Sequence, residues 1–323
     1  MTTRNRLHFD FEKPIVEIEQ EIEAFKQLAA NNEFDIAEEL QRLTERVQSA
    51  RQTIYRHLRP SERVQIARHP SRPSALDYIQ NICQEFIELH GDRQGHDDLA
   101  MIGGLARLDE RTVVFVGQQK GRDTKDNILR NFGMAHPQGY RKALRLFRHA
   151  AKFGFPVVTL IDTPGAYPGI EAEKQGQSAA IAVNLMEMAR LPVPIIAVVI
   201  GEGSSGGALG IGVADRILLL EHAYYAVISP EGCAAILWKD VAKAKVAAEA
   251  LHMTAEDLRD LGLIDEIIPE PLGGAHLDPC GAARTLGIAL RRQLVELSSI
   301  SSYQLVEQRI AKYRTIGRYA EVF

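Results

Sequence analysis

Apolar residues recur three and four apart through the first part of the chain: Ile15, Ile18, Ile22, Phe25 and Leu28, then, after Asn31 and Asn32, Ile36, Leu40, Leu43 and Val47. That period places them on one face of each of two helices joined by a short polar turn, an αα-hairpin. Two such helices bury little by themselves, so the stripe predicts docking on the rest of the chain or on a partner, with packing in cis the simpler expectation. From about residue 71 the texture changes to short β-branched runs at 112–116, 157–161, 195–200, 217–220, 226–228 and 264–268. A helical stretch over 174–190 separates two of them, which is the signature of an α/β chain with repeated crossovers. Pro269, Pro271, Gly273 and Gly274 punctuate the chain before a last helical stretch from 281 to about 297. The organisation expected is a helical hairpin over 1–70, an α/β unit over 71–270 and a helical extension over 271–323.

Composition changes this picture little. The chain of 323 residues is 46% hydrophobic and 25% charged, enough to bury a sizeable core. Its net charge of −4 gives no global basic field for nucleic acid or anionic lipid. The most lipid-like window, 191–214, contains Pro192, Pro194 and several glycines, so it reads as a buried strand and a glycine-rich loop rather than a spanning helix. The amino terminus lacks the unbroken apolar stretch of a signal peptide. Cys83, Cys233 and Cys280 are too widely spaced for a disulfide framework or a zinc knuckle. A soluble, cytoplasmic protein without a membrane or nucleic-acid partner is expected.

The chemistry concentrates where the run 195–200 ends in Gly201-Glu202-Gly203-Ser204-Ser205-Gly206-Gly207. Three readings compete. Gly201, Gly203 and Gly206 satisfy the G-x-G-x-x-G of dinucleotide binding, with Glu221 placed as a ribose-binding acid, although most strands lie upstream of the motif instead of after it. Gly203, Ser205 and Gly207 satisfy the G-x-S-x-G of a serine hydrolase, but none of His222, His252 and His276 stands in a context that marks it as the base. In the third reading the backbone acts: consecutive glycines at the start of a helix present bare N–H groups that can stabilise an oxyanion.

A second glycine turn favours the third reading. The run 157–161 ends in Asp162-Thr163-Pro164-Gly165-Ala166-Tyr167-Pro168-Gly169, so two strands deliver glycine turns at their carboxyl ends, where open α/β sheets bind ligands. No G-x-x-x-x-G-K-[ST] occurs, which argues against a P-loop NTPase. Residues 120–148 carry a local charge of +6; Arg141, Arg145 and Arg148 read as a solvated helix face, and Lys120 to Lys125 as the better ligand candidate, with Lys120 the residue expected to bind substrate.

These segments, together with His90-Gly91-Asp92-Arg93, Gly117-Gln118-Gln119-Lys120-Gly121, Asn131-Phe132-Gly133-Met134 and Ser229-Pro230-Glu231-Gly232-Cys233, resemble the alpha subunit of bacterial acetyl-coenzyme A carboxylase carboxyltransferase. The resemblance spans nearly the whole chain. It implies a crotonase-like (ClpP/crotonase) spiral of ββα units with helical extensions at both ends. It also implies a beta subunit bearing a zinc ribbon in an α2β2 heterotetramer, with no metal in this chain. The reaction implied is transfer of a carboxyl group from carboxybiotin, on the biotin carboxyl carrier protein, to acetyl-CoA. Malonyl-CoA for fatty acid biosynthesis is the product, ATP is used by another component of the complex, and biotin carboxylase is a further partner implied. Gly206 and Gly207 match the positions whose amides face the biotin oxygen, and Gly165, Ala166, Tyr167 and Gly201 are expected at the pocket wall.

Overall fold

A computed structural model gives the structure of the protein and describes residues 8–31 and 37–317. The continuous apolar runs are strands buried on both faces: every residue of β4 (Val157–Thr163) and β5 (Ile195–Ser204) is inaccessible. They lie at the centre of an eight-stranded sheet with β1 (Glu85–Glu88), β2 (Met101–Leu108), β3 (Arg111–Gln118), β6 (Arg216–Leu220) and β8 (Glu266–Ile268). The order is β1-β2-β3-β4-β5-β6-β8, and β7 (Tyr224–Ala226) pairs with the far end of β5. β1, β2 and β3 are antiparallel neighbours, and from β3 onward the pairing is parallel.

From β3 to β6 each crossover advances the same way across the sheet, β8 continues that direction, and only the short β7 steps back to the far end of β5. That progressive winding is the spiral expected from the resemblance, and it lacks the switch point of a doubly wound dinucleotide-binding sheet. Because β3, β4 and β5 are parallel, their carboxyl ends open on one edge.

Local differences from the sequence reading have physical causes. The helix expected over 174–190 is two helices, α7 (Ile170–Lys174) and α8 (Gln177–Arg190), parted by Gly176 at a φ of 84°. The run 226–228 belongs mostly to a turn, and the strand there covers Tyr224–Ala226. β1 and β2 carry weak signals: β1 is a four-residue edge strand, and the Gly103-Gly104 pair interrupts the apolar run of β2. α6 (Pro137–Phe153) lies against α8 and the sheet, burying Tyr140, Ala143, Leu146, Phe147 and Ala150.

At the amino-terminal end, α1 (Lys13–Asn31) and α2 (Ala37–Arg56) pair as a hairpin. Ile15, Val47 and Tyr55 form a separate apolar cluster with Leu58 and with Ile66 of α3 (Pro60–Ala67), so the stripe docks in cis. The side chain of Leu28 and all of Ile36 lie outside the described residues. The Tyr55 hydroxyl donates to Glu12 at 2.7 Å, and its ring meets His222 edge-on. α3 is bonded into the sheet domain, since Arg63 donates to the Glu221 carbonyl at 2.8 Å. Shorter helices α4 (Ala75–Ile82), α5 (Thr124–Leu129), α10 (Pro230–Trp238), α11 (Ala244–Ala250) and α12 (Ala255–Asp260) complete the sheet domain, and the carboxyl-terminal part is two helices, α13 (Pro279–Ser298) and α14 (Ser302–Thr315). No helix among the described residues is long and apolar enough to cross a membrane.

Candidate active site at the carboxyl edge of the sheet

β5 runs directly into the short helix α9 (Ser205–Leu209), and the change of direction is absorbed by Ser205 at a φ of 56°. The left-handed region is uncommon for a side-chain-bearing residue, so the surrounding structure must impose it. The first amides of a helix have no partner inside it. Among the described residues, the N–H groups of Gly206 and Gly207 have no acceptor outside their helix either. Two backbone donors without an acceptor therefore lie next to each other at the strand-to-helix turn, one in the partly exposed Gly206 and one in the buried Gly207.

The two glycines are not equivalent. A Cβ on Gly207 would lie 2.3 Å from the Gly165 carbonyl carbon and 2.5 Å from the Ala166 nitrogen, so this residue is where the turns after β4 and β5 touch backbone to backbone. A Cβ on Gly206 would meet only Ile181 Cδ1, at 3.7 Å. Gly206 borders an apolar cleft of about 380 Å³ whose walls include Leu209, Val213, Tyr225, Leu258, Leu263 and Tyr313.

The turn after β4 is braced from within. Thr163 Oγ1 accepts from the Gly165 amide at 3.1 Å and donates to the Gly165 carbonyl at 2.6 Å. The Tyr167 ring stacks on His136 at 4.1 Å, and its amide donates to the Ala135 carbonyl. Gly165 and Ala166 thus stand directly against the glycine turn of β5, whereas Tyr167 turns to His136. Gly201 lies deeper, where a Cβ would fall 2.6 Å from Asp162 Oδ1.

Lys120, expected to face an anion of the ligand, instead spends its ammonium on two acids of this chain: Asp162 at 2.7 Å and Glu202 at 2.6 Å. Glu202 also accepts from Arg68 Nε and from the Tyr224 hydroxyl, each at 2.6 Å, while Asp162 Oδ1 accepts from the Glu202 amide at 2.9 Å. Burial opposes the charge on Lys120, yet the two carboxylates outweigh it and hold the ammonium above the ordinary lysine range. Burial likewise opposes the charge on Glu202, and Lys120 and Arg68 overcome it, holding the carboxyl at about 2. The expected solvated face of α6 is only partly so: Arg148 is exposed, whereas Arg141 bonds Asp92 and Arg145 bonds the Leu89 and His90 carbonyls.

A second buried pair, Arg72 with Glu270, ties β5 to the segment after β8, because Arg72 Nε also donates to the Ile200 carbonyl at 2.7 Å. Glu270 is buried as well, and Arg72 and His222 hold it down at about 2. Both glutamates therefore sit below their unfolded value. Their contribution to stability is present above the ordinary carboxylate range and is lost as pH falls toward 2. Acid titration of unfolding is expected to show a loss on the order of 2–3 kcal/mol per group over that window. Flat stability between pH 5 and pH 2, measured by denaturant unfolding, would contradict the pairing.

The competing readings find less support in the geometry. Ser205 occupies the strained elbow of a hydrolase, but among the described residues no histidine bonds its hydroxyl; His276 instead stacks on His69 at 4.0 Å and packs with the amino-terminal hairpin. Glu221, placed by spacing as a ribose acid, accepts from the Glu270 amide at 3.0 Å. No group of three or more His, Cys, Asp or Glu side chains among the described residues is arranged to hold a metal. Sequence reasoning passed over Glu202 and Tyr140 as contributors. The available signal was the single charge inside the apolar window 191–214, since a buried carboxylate requires partners.

The architecture is that of the crotonase-like carboxyltransferases. It superposes on the transcarboxylase 12S core solved with methylmalonyl-coenzyme A and methylmalonic acid, with a TM-score of 0.55 and 22% identity, over 70% of this chain and 42% of that one. It also matches a Pseudomonas malonate decarboxylase hetero-tetramer in complex with coenzyme A, with a TM-score of 0.58 and 17% identity, over 73% of this chain and 92% of that one. The sequence is more specific. Residues 8–317 match the family model described as acetyl co-enzyme A carboxylase carboxyltransferase-like. The acetyl-coenzyme A carboxylase carboxyl transferase subunit alpha of Synechococcus elongatus is 57% identical over 99% of this chain and 98% of its own length. That of Prochlorococcus marinus is 55% identical over 98% and 96%. The chain belongs to the family of acetyl-coenzyme A carboxylase carboxyltransferase alpha subunits.

Proposed function

We propose that this chain supplies one half of a shared carboxyltransferase site and that Gly206 and Gly207 are its oxyanion-stabilising donors. The observation that carries the reading is the pair of unpartnered amides at the end of β5, fixed against Gly165 and Ala166 and bordered by an apolar cleft. Donors held in place before the reaction stabilise developing negative charge without reorganising, and each is worth about 3–4 kcal/mol of barrier.

Carboxybiotin, borne on the biotin carboxyl carrier protein, supplies the carboxyl group that becomes part of malonyl-CoA when it bonds to the methyl carbon of acetyl-CoA. The part of this chain is to orient that substrate: the Gly206 and Gly207 amides receive the ureido oxygen, and the apolar cleft accepts the hydrocarbon of the ring and arm. Lys120 and Arg68 together neutralise Asp162 and Glu202, which leaves no free base among them and suits a reaction whose proton acceptor is the biotin ureido nitrogen. The thioester half of the site belongs to a beta subunit with a zinc ribbon in a cytoplasmic α2β2 assembly. ATP is consumed by the biotin carboxylase component.

The test is carboxyl transfer from malonyl-CoA to a soluble biotin derivative by this chain, by a beta-type subunit and by their mixture. Activity is expected in the mixture alone. Turnover by the isolated chain, or an assembled but inactive mixture, would overturn the reading.

A further inference from the structure

We infer that Gln118 is a positioning residue that sets the orientation of the Gly206–Gly207 amides, an inference that rests on the proposed role of that turn. Gln118 is the last residue of β3, and its side chain is wholly buried, so it acts on a ligand only through other groups. The pairing of β4 with β5 is regular up to Ile161 with Val199 and then shifts register before Thr163 with Gly203. Asp162 sits at that irregularity, and its amide turns to a side chain: Gln118 Oε1 accepts it at 3.1 Å. The other end of the same amide, Nε2, donates to the Gly207 carbonyl at 2.7 Å.

One partner can only donate and the other can only accept, so a single orientation of the Gln118 amide satisfies both. The Gly207 carbonyl also accepts from the Tyr140 hydroxyl at 3.3 Å. Gly207 is thus held on one side by these two donors and stopped on the other by the Gly165–Ala166 backbone. The Gly207 carbonyl shares its rigid peptide plane with the Ala208 amide, and Gly207 and Ala208 both lie in α9, so anchoring that carbonyl limits the tilt of the first turn of α9, which carries the Gly206 and Gly207 N–H groups. Gln118 bonds both glycine turns at once and so couples their spacing to the aim of the donors.

Two variants of the assembled complex test this. Gln118→Glu keeps the shape and the acceptor for the Asp162 amide but removes the donor to Gly207; Gln118→Leu removes both. A misaim of a fraction of an ångström to 1 Å is expected to lower kcat by roughly 10-fold in Gln118→Glu and 100-fold in Gln118→Leu. KM for the CoA substrate is expected to stay within about twofold, because a purely structural defect would reduce the amount of active complex and leave kcat per assembled site unchanged. Should Gln118→Leu fail to fold, Gln118→Glu decides. An assembled Gln118→Glu with wild-type kcat, a loss borne by KM alone, or a Gln118→Glu that cannot assemble would each overturn the inference. An inactive wild-type complex would instead sink the proposed function itself, so the two failures are distinguishable.

Discussion

Gly207→Ala is expected to abolish useful carboxyl transfer, lowering kcat of the assembled enzyme by about 100- to 1000-fold, the loss typical of a misplaced oxyanion donor. The cause is packing at the turn: the added Cβ would lie 2.3 Å from Gly165 C, 2.5 Å from Ala166 N and 2.7 Å from Gly165 O. All three are backbone atoms, which cannot swing aside like the end of a flexible side chain. The two turns must separate, and the amide of residue 207 moves with them. Gly206→Ala is the control, because its Cβ meets one methyl group at an ordinary 3.7 Å; its melting temperature is expected to stay within about 2 °C of wild type. Steady-state assay of Gly207→Ala in complex checks the first statement and thermal unfolding of Gly206→Ala the second. Wild-type kcat in Gly207→Ala would show that the contact with Gly165 and Ala166 does not govern the site.

Arg309→Met produces the largest loss of stability expected from a single side chain far from the site. Arg309 on α14 is fully buried and uses all of its guanidinium donors: Nε and Nη2 bond Asp215 at 2.9 and 2.8 Å. Nη1 bonds the Met188 and Leu191 carbonyls at 2.7 and 2.8 Å, and Nη2 bonds the Val193 carbonyl at 2.9 Å. Asp215 is itself buried and accepts from the Ile195 amide at the start of β5. Removing the arginine leaves that carboxylate without its cation and the Leu191 and Val193 carbonyls without a donor, at a cost of about 3–5 kcal/mol. For a chain of this size that corresponds to a drop in melting temperature of about 4–7 °C. Arg309→Lys should recover little, since one ammonium cannot reproduce a planar fork. A melting temperature within about 2 °C of wild type for Arg309→Met would remove the basis for treating this cluster as the anchor of α14.

The turns at the carboxyl ends of β4 and β5 were legible because glycine and proline punctuate the chain where side chains must be absent, and Gly207 is such a place. The hairpin stripe was legible too, since Ile15 and Val47 meet Ile66 as their helical period requires. The course of the sheet was not. A β-branched run says that a strand exists, but nothing local in it says whether the next crossover continues or reverses, so the spiral came from the family resemblance rather than from the periodicity. β2 escaped because Gly103 and Gly104 interrupt its apolar pattern. Lys120 looked like a ligand for the same reason that Gln118 looked like nothing. Their partners are remote, with Glu202 lying 82 residues from Lys120 and Gly207 lying 89 from Gln118. A charge near a glycine turn suggests an anion until the acids that neutralise it are brought alongside. A buried amide leaves no periodic trace at all.

The role of the Gly206–Gly207 turn is tested most directly by a crystal structure of this chain, assembled with its beta-type partner, with biotin bound. The ureido oxygen is expected about 2.7–3.1 Å from the amide nitrogens of Gly206 and Gly207, the distance at which an oxyanion donor acts. A biotin whose ureido oxygen is held by the partner subunit, or by side chains of this chain away from that turn, would contradict the assignment.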